Sequence, residues 1–151
     1  KLSLVSESTA RLGIDIIETK KAGGREFISE LSGVADAVLC DVPCSGYGVL
    51  AKKPEIRYKS PEVCASLPDI QYAILENCSR YVKKGGVLVY STCTLLPREN
   101  EENARRFLSD HGDLFVPEAF RVNGRIYPAF TTLFPDTEGT DGFFIAKFRR
   151  K

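Results

Sequence analysis

Two short apolar runs, each emptying into a polar loop that carries a cysteine, constrain this chain more than any other feature. The first is Ala35–Cys40 (ADAVLC), followed by Asp41-Val42-Pro43-Cys44-Ser45-Gly46-Tyr47-Gly48. A brief apolar run bounded by turn signals reads as a strand buried on both faces. Pro43 cannot donate to a sheet, and Gly46 and Gly48 suit a backbone leaving regular structure, so the strand should stop near Asp41. The second run repeats the design: Gly85-Gly86, then Val87–Ser91 (VLVYS), then Thr92-Cys93-Thr94 and Pro97. Each strand thus delivers a thiol just beyond its carboxyl end, the edge where open α/β sheets bind ligands.

The flanking pattern alternates strands and helices. Ser6–Leu12 reads as a helix ended by Gly13, Ile14–Thr19 as a strand, and Arg25–Leu31 as a short helix. Ser60-Pro61-Glu62 resembles a helix start. Apolar residues from Ile70 to Val82 recur at helical spacing, and Lys83-Lys84 before Gly85 suit a helix carboxyl end. A further helix is expected over about Pro97–Ser109, with glutamates in its first turns. Leu114–Ala119 and Gly142–Lys147 read as strands, and Arg125–Thr140 as loop. The alternation predicts an α/β domain with a mainly parallel sheet and helices on both faces.

At 151 residues and net charge +1, the chain is one ordinary domain without the overall basic field of a general nucleic-acid binder. Its positive charge is local: Lys52, Lys53, Arg57 and Lys59 lie close together, with Tyr47 and Tyr58 interleaved. That mixture suits phosphate contacts and base stacking. No run is long and apolar enough for a membrane span. Five irregularly spaced cysteines and the absence of a secretory signal suggest reduced thiols in a cytoplasmic protein. Zinc fits poorly, because there is no CxxC and His111 is the one histidine.

Cys40, Cys64 and Cys78 fall within a strand or helices and read as apolar filler, whereas Cys44 and Cys93 sit in polar loops. A cysteine attacks as thiolate, and the helix starting near Pro97 favours charge on Cys93. Three chemistries could use the pair. A cysteine hydrolase needs a base, but His111 lies past the far end of the helix that follows Cys93. A redox couple needs the sulfurs within disulfide reach. The third is covalent methylation of a pyrimidine, in which a thiolate adds to carbon 6 and makes carbon 5 nucleophilic.

DVPCSGYGVLAKKPEIRYK, GGVLVYSTCTLLPRENEENARRFL and GTDGFFIAKF resemble the Sun-type RNA (cytosine-5) methyltransferases, the bacterial ribosomal-RNA branch especially. The likeness runs from Arg11 to the end of the chain. It implies a Rossmann-like methyltransferase sheet whose front strands lie outside this chain, so that residues 1–151 form the C-terminal portion of an S-adenosylmethionine-dependent catalytic domain. It implies RNA, and rRNA in particular, as substrate, with Cys93 as nucleophile and Cys44 aiding product release. DNA cytosine methyltransferases attack instead from a Pro-Cys such as Pro43-Cys44, and the Ser-Thr-Cys-Thr context favours Cys93. Asp41 is expected to contact the methyl donor or target base, Pro43 the base, and Lys53 and Arg57 the RNA. The family's glycine-rich donor loop and ribose-binding acid are expected upstream of Lys1, and the isolated chain is expected to be inactive. Where relatives carry an acid before Gly-Arg, this chain has Gly23, which removes one expected contact to the donor's adenine. The alternative is a non-catalytic RNA-binding or scaffold domain on the same fold. A small-molecule methyltransferase is disfavoured by the basic aromatic loop.

Overall fold

The computed structural model describes residues 2–151. Helix α1 (Leu2–Leu12) begins earlier than the sequence suggests and ends at Gly13, whose φ of 65° closes the turn. Ile14–Thr19 forms no strand; among the described residues no partner strand lies beside it, and Ile16 is 88% exposed. Of Arg25–Leu31 only Ser29–Leu31 winds into a 3-10 turn. Strand β1 (Ala35–Asp41) follows, then a 3-10 turn at Pro54–Tyr58, helix α2 (Pro61–Ala65) and helix α3 (Leu67–Ser79). The Ser60 hydroxyl caps α2 by accepting from the Glu62 N–H, as the Ser-Pro-Glu start implies.

Helix α3 stops before Lys83-Lys84, where the sequence places its end. The reason is competition from the sheet: the carbonyls of Arg80 and Tyr81 accept from the N–H groups of Gly33 and Ala35, drawing the chain out of the helix. Both lysines instead belong to strand β2 (Val82–Thr92). After β2 come a 3-10 turn (Pro97–Glu99), helix α4 (Glu101–His111), and strands β3 (Phe115–Pro117), β4 (Phe120–Val122), β5 (Arg125–Tyr127) and β6 (Phe130–Leu133). Helix α5 (Pro135–Glu138) and strand β7 (Phe143–Arg150) complete the chain. The Arg125–Thr140 stretch is therefore not loop: it holds β5, β6 and α5.

The main sheet has the order β1-β2-β7-β3, with β6 also on β7. β1 and β2 are parallel, whereas β7 pairs antiparallel with β2, β3 and β6. It follows that β1, β2, β3 and β6 all run one way and β7 runs against them. Lys83–Gly86 slip out of register with β1, and Gly85 at φ 78° makes the irregularity. Alternate residues of β1, β2 and β7 (Cys40, Leu88, Tyr90, Ala146, Phe148) face α3 and α4 and bury Leu75, Ala104 and Phe107 between them. Each such large apolar side chain contributes about 1.5–3 kcal/mol relative to exposure. Within the described residues both long packed helices lie on that one face, and Leu39, pointing to the other, is 71% exposed. No described helix is long and apolar enough to cross a membrane.

Candidate active site

Parallel pairing of β1 with β2 places Asp41 opposite Ser91, so the two strands end side by side. Val42 makes one last bond, from its N–H to the Ser91 carbonyl, before Pro43 turns the backbone away. Cys44 and Cys93 therefore emerge from the same end of the sheet. Their sulfurs lie 3.1 Å apart; both residues are half-buried and both thiols are free.

Backbone bonds stitch the loops that carry them. Gly48 N–H donates to the Cys93 carbonyl (2.9 Å), and Gly142 N–H to the Gly48 carbonyl (2.8 Å). The hydroxyls of Ser45 and Thr94 meet at 2.7 Å in a buried contact. The Asn100 amide joins the same assembly: its Nδ2 donates to the Thr94 carbonyl (2.9 Å), while its Oδ1 accepts from Thr92 Oγ1 (2.6 Å). Beneath them, Glu99 Oε2 accepts from Ser45 N–H (2.9 Å) and Gln71 Nε2 (2.8 Å), and Gln71 also donates to the Pro43 carbonyl (2.9 Å). Sequence reasoning missed Gln71 and Glu99 as part of the site: Gln71 lies on the buried face of α3 with Tyr72 and Leu75, Glu99 in the 3-10 turn before α4, and no motif singles either out.

Burial raises the Cys44 thiol to about 12 from an ordinary value of 9.0, and hydrogen bonding and charge repulsion from Cys93 add to it. Cys44 therefore keeps its proton at neutral pH, and it shares a hydrogen bond with the Cys93 sulfur. Asp41 is exposed at the open edge of β1, with Oδ1 accepting from the Ser91 hydroxyl at 2.9 Å. Pro43, between them, is also exposed.

The basic loop divides by partner. Lys59 Nζ donates to the Ser45 carbonyl (2.8 Å) and Lys52 pairs with Asp141 (2.5 Å), so both brace the cysteine loops. Lys53 and Arg57 are exposed, and neither has an ion-pair partner among the described residues. Tyr58 is 84% exposed, and Ile56, buried beneath Gly46, anchors the segment. Cys40 and Cys64 are buried, and Cys78 packs partly buried against the core. His111 lies 3.2 Å from Glu76 and lines a cavity of about 390 Å³ with Arg25, Arg80 and Arg150. Gly23 and Gly24 border another cavity, of about 460 Å³; there Glu26 folds back so that its Oε2 accepts from Gly23 N–H at 3.1 Å. Among the described residues no group of three or more His, Cys, Asp or Glu could hold a metal ion.

The sequence matches the model of a family described as 16S rRNA methyltransferase RsmB/F over residues 1–149. It is 39% identical, over its whole length, to a probable ribosomal RNA small subunit methyltransferase B of Bacillus subtilis, covering 36% of that protein. A ribosomal RNA small subunit methyltransferase F of Serratia proteamaculans is 31% identical over 99% of this chain and 33% of its own length. The crystal structure of NSun6 from Pyrococcus horikoshii with SFG superposes at a TM-score of 0.80, with 28% identity over 99% of this chain and 38% of that one. A methyltransferase homolog from Pyrococcus horikoshii gives 0.74, with 30% identity over 99% of this chain and 50% of that one. The chain thus spans about a third of the length of the curated relatives it matches. With its sheet Rossmann-like and its two cysteine loops joined at one edge, the chain belongs to the 16S rRNA methyltransferase RsmB/F family.

Proposed function

We propose that this chain is the rear portion of a catalytic domain that methylates carbon 5 of cytosine in ribosomal RNA through a covalent adduct on Cys93. The observation carrying this reading is the 3.1 Å contact between Cys93 and a Cys44 thiol that holds its proton. S-adenosylmethionine, of which the SFG bound to the archaeal relative is an analogue, supplies the electrophilic methyl group. The residues present fit one side of such a donor: Asp41 is exposed at the sheet edge, with a single oxygen engaged by Ser91. That leaves Oδ2 available to accept from a donor N–H or ammonium.

In the proposed sequence Cys93 loses its proton to solvent and its Sγ bonds to carbon 6; the 5,6 double-bond pair moves to carbon 5, which takes the methyl group as the donor's sulfonium–carbon bond breaks to leave a thioether. A base then removes the carbon 5 proton; the electrons re-form the ring double bond and the carbon–sulfur bond breaks. Cys44 acts at the end of this sequence, where its S–H can donate a hydrogen bond to the Cys93 sulfur and stabilise the negative charge on it as that sulfur leaves. Lys53 and Arg57, exposed and free of acidic partners among the described residues, suit RNA phosphates. A cytosine within a helix must first be unstacked to reach the cysteines.

Nucleoside mass spectrometry of rRNA treated with the full-length protein and labelled S-adenosylmethionine tests the reading. It expects label in 5-methylcytosine; label on another base, or on a cytosine exocyclic nitrogen, refutes it. The second reading, a non-catalytic RNA-binding domain, draws on Gly23 lacking a carboxylate. Absence of S-adenosylmethionine binding by the full-length protein in calorimetry would favour it.

A further inference from the structure

Glu99 is fully buried, and its Oε1 is the buried side-chain polar atom left without a partner among the described residues. No cation pairs with it in the described chain, an arrangement that costs stability. What the carboxylate does hold is specific. Its Oε2 receives the N–H of Ser45, while Gln71, bonded to the same oxygen, donates to the carbonyl of Pro43. The two side chains therefore grip the backbone immediately before and immediately after Cys44.

Glu99 is equally tied to the other cysteine. Its own carbonyl accepts from Tyr90 Oη (2.5 Å) on β2, and the adjacent Asn100 bonds Thr92 and Thr94, the neighbours of Cys93. Glu99 and Asn100, with Gln71 bonded to Glu99, thus hold the chain on both sides of both thiols. We propose that Glu99, together with Gln71, is a positioning residue that fixes Cys44 against Cys93 and so sets the rate at which the methylated product is released. The inference rests on the covalent reading above, and it concerns release because Cys44 is the member of the pair that Glu99 and Gln71 hold directly.

The test uses the full-length protein in three variants. Glu99→Leu keeps bulk but removes the acceptor, Glu99→Gln keeps an acceptor oxygen for Ser45, and Gln71→Leu removes the Pro43 contact. With an RNA bearing the target cytosine, Glu99→Leu and Gln71→Leu are expected to form the covalent complex at the wild-type rate but release it about ten- to a hundredfold more slowly, as suits an ångström-scale misplacement. Glu99→Gln should restore release to within about threefold of wild type. A second readout needs no RNA. Diamide takes two electrons and two protons from neighbouring thiols to give a disulfide and a hydrazine, so its rate of joining Cys44 to Cys93 reports their approach. That rate should fall in both leucine variants and recover in Glu99→Gln.

Unchanged crosslinking in the leucine variants overturns the proposal, as does slowed adduct formation with normal release. If wild type forms no adduct at all, the covalent reading fails while the crosslinking comparison still decides the positioning role. If Glu99→Leu does not fold, Gln71→Leu carries both measurements.

Discussion

Gly48 and Gly142 meet backbone to backbone: the Gly142 N–H donates to the Gly48 carbonyl at 2.8 Å, and a Cβ on Gly48 would lie 2.1 Å from the Gly142 carbonyl oxygen. The same Cβ would sit 2.8 Å from the Cys93 carbonyl. The obstacles are main-chain atoms, which cannot swing aside as a flexible side chain could.

Gly48→Ala is therefore expected to push the Cys44 loop off the Cys93 loop. Overpacking of this kind costs about 1–3 kcal/mol. Urea denaturation should show a lower midpoint with an unchanged slope, together with loss of methyl transfer. A variant with wild-type midpoint and activity would show that the three loops are not locked together here.

Cys93→Ala in the full-length protein is expected to abolish both methyl transfer and the covalent protein–RNA complex. Cys44→Ala should let that complex accumulate, because the leaving sulfur loses its hydrogen-bond donor. Denaturing gels with labelled RNA read both outcomes. A complex that depends on Cys44 and survives loss of Cys93 reverses the assignment of the two thiols.

The raised Cys44 pKa has a defined pH signature. Between the ordinary value of 9.0 and about 12, an unfolded Cys44 has lost its proton while the folded one retains it. The unfolded state then binds fewer protons, so stability is fully present below pH 9 and falls as pH climbs toward 12. Iodoacetamide labelling followed by peptide mass spectrometry should show Cys44 reacting slowly near pH 8 and faster toward pH 12. A labelling midpoint near 9 would contradict the burial argument.

Lys53→Ala and Arg57→Ala should each weaken RNA binding and reduce the salt slope by about one, since each removes one phosphate contact. Neither should change S-adenosylmethionine binding. Fluorescence anisotropy at several salt concentrations makes the comparison. An unchanged slope in both variants would mean that the exposed part of the loop faces solvent rather than RNA.

Much of the frame was legible because it is local. Ala35–Cys40 and Val87–Ser91 read as strands from apolar runs closed by proline and glycine; β1 covers the first run, and β2 covers the second but begins earlier, at Val82. The positions of Cys44 and Cys93 past the strand ends followed from the same punctuation. Where partners decide structure, the reading failed. Ile14–Thr19 has strand composition but no strand beside it among the described residues, and the last turn expected of α3 was taken by the sheet through the carbonyls of Arg80 and Tyr81. The β5–β6 region reads as loop because its strands are short and Pro128, Pro135 and Gly139 lie between and after them, and β6 owes its place to pairing with β7. Charge placement likewise depends on the tertiary structure: Arg106 reaches Asp69 at 3.3 Å and stacks on Tyr72, while Arg105 lies over Phe130.

The sequence by itself determined that Cys44 and Cys93 follow strands and which end of the sheet they leave from, because strand length and chain breakers act over a few residues. Only the tertiary structure decided that the two sulfurs touch, that burial raises the Cys44 pKa, and that Glu99 and Gln71 grip the loop between them. Those relations join residues tens of positions apart, and distance, burial and hydrogen-bond direction exist only once the chain has closed on itself.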